Sequence, residues 1–93
     1  MIRITIDRSN ELSVVLYLEG KLAAEAVNTL RQESCRWLDG SQDLIIDLEG
    51  VRFIDDDGLT LLQGLKSPRL QIRGASEFIQ SLLASYGLQG REA

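Results

Sequence analysis

Hydrophobic positions recur along this chain with two different periods. Four stretches alternate every second residue, the pattern of a strand with one covered face. Ile2, Ile4 and Ile6 point one way and Arg3, Thr5 and Asp7 the other. Leu12, Val14, Leu16 and Leu18 oppose Ser13, Val15, Tyr17 and Glu19, and Leu44, Ile46 and Leu48 oppose Ile45 and Asp47. Leu70 and Ile72 oppose Gln71 and Arg73. The polar stretch Arg8-Ser9-Asn10-Glu11 suits a hairpin loop between the first two strands.

Three segments carry the helical period. Ala23, Ala26, Val27, Leu30, Ser34, Trp37 and Leu38 form one stripe, with Gly40 as its stop. Leu59, Leu62 and Leu65 mark a short second helix from about Asp56 to Lys66. Phe78, Ile79, Leu82, Leu83 and Tyr86 mark the third, with Ser76 placed to cap its start and Gly87 its end. The order is strand, strand, helix, strand, helix, strand, helix, which implies a largely parallel sheet after an opening hairpin. A sheet covered on both faces reads as continuous apolar runs, whereas these strands alternate. The expected fold is therefore a two-layer α/β domain, a mixed sheet of about four strands with three helices on one face. No G-x-G-x-x-G follows a strand, which counts against a dinucleotide fold.

Composition narrows the function classes. Ninety-three residues, 44% of them hydrophobic, make one small globular domain over 1–93. No apolar run reaches the length of a membrane-spanning helix, and the N-terminus alternates where a secretory signal would be continuously apolar. One cysteine, Cys35, leaves no internal disulfide, and a cytoplasmic location is the simplest expectation. The chain has no histidine, so a Ser-His-Asp or Cys-His site cannot exist within it. Ten scattered bases against fourteen acids give a formal charge of −4 and no basic run, which disfavours nucleic acid. Cys35 reads as a small packed residue. Trp37 reads as packing at the core edge or meeting a partner. Val15, Tyr17 and Ile45 would form a patch on the open sheet face.

The unusual stretch follows the third strand. Asp55, Asp56 and Asp57 stand together at the start of the second helix. One aspartate suffices for an N-cap, and acids in a first turn are favoured by the helix dipole. Three adjacent carboxylates exceed that need and repel one another. Mg²⁺ or Ca²⁺ binding is a second reading, but the EF-hand spacing is missing. A phosphoacceptor aspartate is a third.

The segment Ile46-Asp47-Leu48, then Val51-Arg52-Phe53-Ile54, then Asp55-Asp56-Asp57-Gly58-Leu59 resembles the hallmark of the STAS domain family, to which the bacterial anti-sigma factor antagonists belong. Leu18-Glu19-Gly20-Lys21-Leu22 is similar to the family's strand-to-helix loop. Phe78 to Leu88, with Leu82-Leu83 and Tyr86-Gly87-Leu88, is similar to its last helix. The segment from Leu59 to Leu70 is short for the family, so the second helix is expected to be clipped. The chain also closes soon after the third helix, so the elements of larger members are expected to be missing. The resemblance implies a non-enzymatic, regulatory protein-interaction domain without cofactor, metal, catalytic residues or membrane insertion. It implies a partner surface at Asp55, Asp56, Asp57, Gly58 and Leu59 with Gly20, Lys21 and Leu22. The partner would be an anti-sigma factor or serine kinase-like protein, or alternatively the ATPase subunit of an ABC-type phospholipid transport complex that this domain would serve as a small soluble subunit. Regulated members are phosphorylated on a serine after the first aspartate; Asp56 occupies that position here, so the resemblance implies the docking surface without the switch.

Overall fold

Which face of each strand is buried follows from the alternation. A computed structural model describes residues 2–40, 42–65 and 68–85. The strands are β1 (Ile2–Asp7), β2 (Ser13–Leu22), β3 (Asp43–Ile54) and β4 (Leu70–Arg73). The helices are α1 (Glu25–Leu38), α2 (Asp56–Gly64) and α3 (Glu77–Ser85). The sheet order is β1-β2-β3-β4, with β1 antiparallel to β2 and the remaining pairs parallel. Val14, Leu16 and Leu18 of β2 and Leu44, Ile46 and Leu48 of β3 are buried on one face. Ala26, Val27 and Leu30 of α1, Leu59 and Leu62 of α2, and Ile79 and Leu83 of α3 join them in one core. On the other face Val15, Tyr17 and Ile45 are half-buried, and Thr5 and Gln71 are exposed. The fold is the expected mixed α/β sheet with three helices.

Local chemistry sets the ends of the elements. The β1–β2 turn is held by two aspartyl-type turns: Ser9 N donates to Asp7 Oδ1 (2.9 Å) and Leu12 N to Asn10 Oδ1 (2.7 Å). The Ser9 N–H holds the Asp7 carboxyl below its ordinary range. At the far end of α1, Arg69 donates to the carbonyls of Leu38 (2.8 Å) and Gly40, placing a cation at the helix C-terminus. Ser76 caps α3 through Ile79 N (3.2 Å).

Several positions differ from the periodic reading. Leu12 lies outside β2 in the turn and is 77% exposed. β3 runs to Ile54, well past Leu48 where the alternation stops. The cause is two register shifts against β2: Tyr17 pairs Asp47 while Glu19 pairs Gly50, and Gly20 pairs Val51 while Lys21 pairs Phe53. β3 holds an extra residue at each shift, and each extra residue turns the following side chains to the opposite face. Val51 and Ile54 consequently return to the buried side out of step with Ile46 and Leu48, while Asp47, ahead of the shifts on the opposite face, is buried against Arg73. Phe78 is 54% exposed, because Ile79 and Leu83 are the α3 residues aimed at the sheet. Cys35 is exposed rather than packed, one helical step away from buried Ser34. Trp37 does pack against the core edge, with Arg8 and Arg36 over its ring at 5.1 and 5.4 Å. α2 closes at Gly64 with Leu65 as its cap residue. Lys66, Tyr86, Gly87 and Leu88 lie outside the described residues.

Candidate functional site

Two connections meet at the C-terminal end of the parallel strands, and Asp55 joins them. Asp55 has extended backbone at the N-cap of α2, and its Oδ1 accepts from Gly58 N at 2.8 Å. Its Oδ2 accepts from Ala24 N at 3.2 Å, just before α1. Asp55 N in turn donates to Leu22 O at 3.1 Å. The start of α1 has no side-chain cap of its own, and Ala24 sits at φ 56°, a left-handed backbone that an alanine rarely adopts. One carboxylate thus satisfies donors from both connections.

Gly58 explains why the tip lies so close to β2. A Cβ at Gly58 would fall 2.8 Å from Leu22 O and 2.7 Å from Ile54 Cγ2. Only a residue without a side chain lets the first turn of α2 seat on the end of β2.

The expected surface residues divide between support and surface. Leu22, Gly58 and Leu59 are buried, so they shape the tip without presenting themselves. Asp55 is half-buried and used twice. Asp56 and Asp57 are exposed in the first turn of α2, where the helix dipole favours negative charge. Lys21 is exposed on the neighbouring strand end and pairs in register with Phe53. Gly20 is half-buried with φ 108°.

Sequence reasoning missed three features here. Phe53 is 41% exposed beside Lys21, and Arg52 precedes it on the surface. An open groove of about 1000 Å³ runs along the uncovered sheet face, lined by residues including Arg3, Tyr17, Glu19, Lys21, Asp47 and Arg52. At its floor Asp47 is only 7% exposed. Asp47 Oδ2 accepts from Arg73 Nε at 3.0 Å and Oδ1 from Glu49 N at 2.9 Å. Arg73 also donates to the Tyr17 hydroxyl at 3.2 Å and lies over that ring. The hydrogen bond to Asp47 raises the Arg73 guanidinium above its ordinary value. The register pair Asp47–Arg73 makes this contact, and register is what the alternation alone does not reveal.

Asp56 and Asp57 present carboxylates suited to basic groups on a partner. Among the described residues no three histidine, cysteine or acidic side chains converge as metal ligands. No described helix is long and apolar enough to cross a membrane.

Comparison with known proteins places this geometry. No curated protein sequence matches significantly. Among solved structures, the chain is similar to the anti-sigma factor antagonist SpoIIAA in its unphosphorylated form, at 22% identity and a TM-score of 0.71, over 98% of this chain and 89% of that one. It is similar to phosphorylated SpoIIAA of Bacillus at 21% identity and a TM-score of 0.73, over 92% and 85%. An anti-sigma factor antagonist from Mycobacterium paratuberculosis aligns at 19% identity and a TM-score of 0.69, over 92% and 80%. At these identities the likeness establishes the fold. The family described as "Mlab, STAS domain" matches residues 5–90, nearly the whole chain. With its mixed sheet and its capped helix tip after β3, the chain belongs to the STAS domain family.

Proposed function

We propose that this chain is a non-enzymatic docking domain of the anti-sigma factor antagonist kind, acting through the α2 tip. The observation that carries the reading is the division of labour in the acidic run. Asp55 alone meets the capping need, and Asp56 and Asp57 stand exposed beside it. Two exposed carboxylates at a helix start, with Lys21 and Phe53 exposed on the strand ends that lead into it, give a partner with basic groups a charged target and an apolar anchor. The partner class is an anti-sigma factor or serine kinase-like protein.

Asp56 stands where the regulated antagonists carry their serine, so docking here is not switched by serine phosphorylation at that position. A carboxylate carries about −1, against about −1.5 to −2 for phosphoserine. The same departure favours the second reading, a soluble subunit bound to the ATPase of an ABC-type phospholipid transporter. Affinity capture from the source cells separates the two by the partner recovered, a kinase-like regulator or a transporter ATPase.

The direct test uses that recovered partner. Asp56→Asn with Asp57→Asn is expected to slow association by about tenfold at low salt and to flatten its salt dependence. Unchanged association would remove the tip as the surface. Asp56→Ser, offered to a co-encoded serine kinase, is expected to be labelled if the chain serves the sigma-regulating system.

A further inference from the structure

β1 is an edge strand that lacks several of the usual protections. Its six residues pair with β2 in unbroken register, from Ile2 opposite Gly20 to Asp7 opposite Val15. It has no proline, no bulge and no charge on its core-side face, the devices that normally blunt an edge. Among the described residues no other segment hydrogen-bonds its outer side. The helices pack chiefly on β2 and β3, so the isoleucine row of β1 is incompletely covered. Ile2 and Ile4 are half-buried, and Ile6 is 40% exposed. The opposite edge differs: β4 has four residues, with Pro68 shortly before it and Gly74 after it.

The residues of β1 are complementary to themselves in one antiparallel register. With Thr5 on the twofold axis, Arg3 of one copy faces Asp7 of the other, twice. Ile4 then faces Ile6, also twice, on the core side. Residues directly opposite in an antiparallel pair share a face, so charges meet charges and isoleucines meet isoleucines. The alternative centred on Ile4 sets Arg3 against Thr5 and forfeits both charge pairs.

We propose that β1 is a homodimerisation edge, pairing antiparallel with β1 of a second copy about Thr5 to join the two sheets into one. A single short strand buries less than the ~1,200 Å² at the lower end of standard interfaces, so the dimer is weak and concentration-dependent. The pairing is isologous and therefore closes at two copies. It uses neither Asp56 nor Asp57, so it stands or fails independently of the docking reading.

Sedimentation equilibrium over a wide concentration range reads the association directly. Arg3→Asp is expected to weaken it about tenfold by setting acid against acid twice, and Arg3→Asp with Asp7→Arg to restore it. Thermal melts of each variant confirm that the monomer is folded. In a Cys35→Ser background, Thr5→Cys is expected to form an intermolecular disulfide on mild oxidation. Its two Cα atoms would lie about 4.5–5.5 Å apart, within disulfide range. Arg3→Cys is expected not to cross-link, because its copies sit about 13 Å apart along the strands. A chain that stays monomeric to its solubility limit overturns the proposal. So does a dimer indifferent to Arg3→Asp, or one that cross-links through Arg3→Cys instead of Thr5→Cys.

Discussion

β3 and the turn that follows it carry acids in two settings, and the contrast between them separates scaffold from surface. Midway along the strand, Asp47 is nearly enclosed, and Arg73 supplies a positive charge against it. At the end of the strand, the partners of Asp55 are neutral backbone N–H groups, which fix the carboxylate without cancelling its charge. Asp56 and Asp57 follow in exposed positions of the first turn of α2. An acid neutralised inside the fold stabilises it. An acid held by N–H groups at a helix start keeps its field for whatever approaches.

The first way to break the contrast is at Arg73. Arg73→Met leaves the Asp47 carboxylate covered and without its cation, and should cost about 1–3 kcal/mol, since Arg73 itself is partly exposed and screened. Asp47→Asn should cost less, because the amide oxygen still accepts from Glu49 N and the freed guanidinium reaches water. Urea melts of both variants give the order, and the reverse order would contradict the burial asymmetry. Next comes the tip: Asp55→Ala removes the acceptor of two backbone donors and should cost about 1–2 kcal/mol. Ala24→Gly relaxes the left-handed backbone and should stabilise by up to about 1 kcal/mol, read as a higher melting temperature. Asp56→Asn and Asp57→Asn should each change stability by less than about 0.5 kcal/mol, so any loss of partner binding would be a surface effect. The smallest effect is at Asp7, whose carboxyl is held below the ordinary aspartate value of 3.8. A depressed folded value means the stabilisation is present above the unfolded value and lost as pH falls through the folded one. The difference in melting temperature between the wild type and Asp7→Asn should therefore persist at neutral pH and vanish on acidification below about 4.

The element order was legible because each strand and helix states its period over several residues. Ile2 to Asp7 and Leu70 to Arg73 read directly into β1 and β4. The second half of β3 did not, because its two extra residues destroy the alternation that identifies a strand. At the site, the acidic run and the need for a single cap were visible, and an aspartate before a helix is an ordinary N-cap. The reach of the same side chain to Ala24, thirty-one positions away, was not visible. Nor was Arg73 as the partner of Asp47, since both contacts depend on which strands become neighbours.

The double grip of Asp55 has a consequence for engineering. A foreign helix tip spliced in after β3 would arrive without the backbone that its cap must hold on the other side. Chimeras exchanged between relatives should therefore transplant the Leu22–Ala24 connection together with Asp55–Gly58 as one cassette.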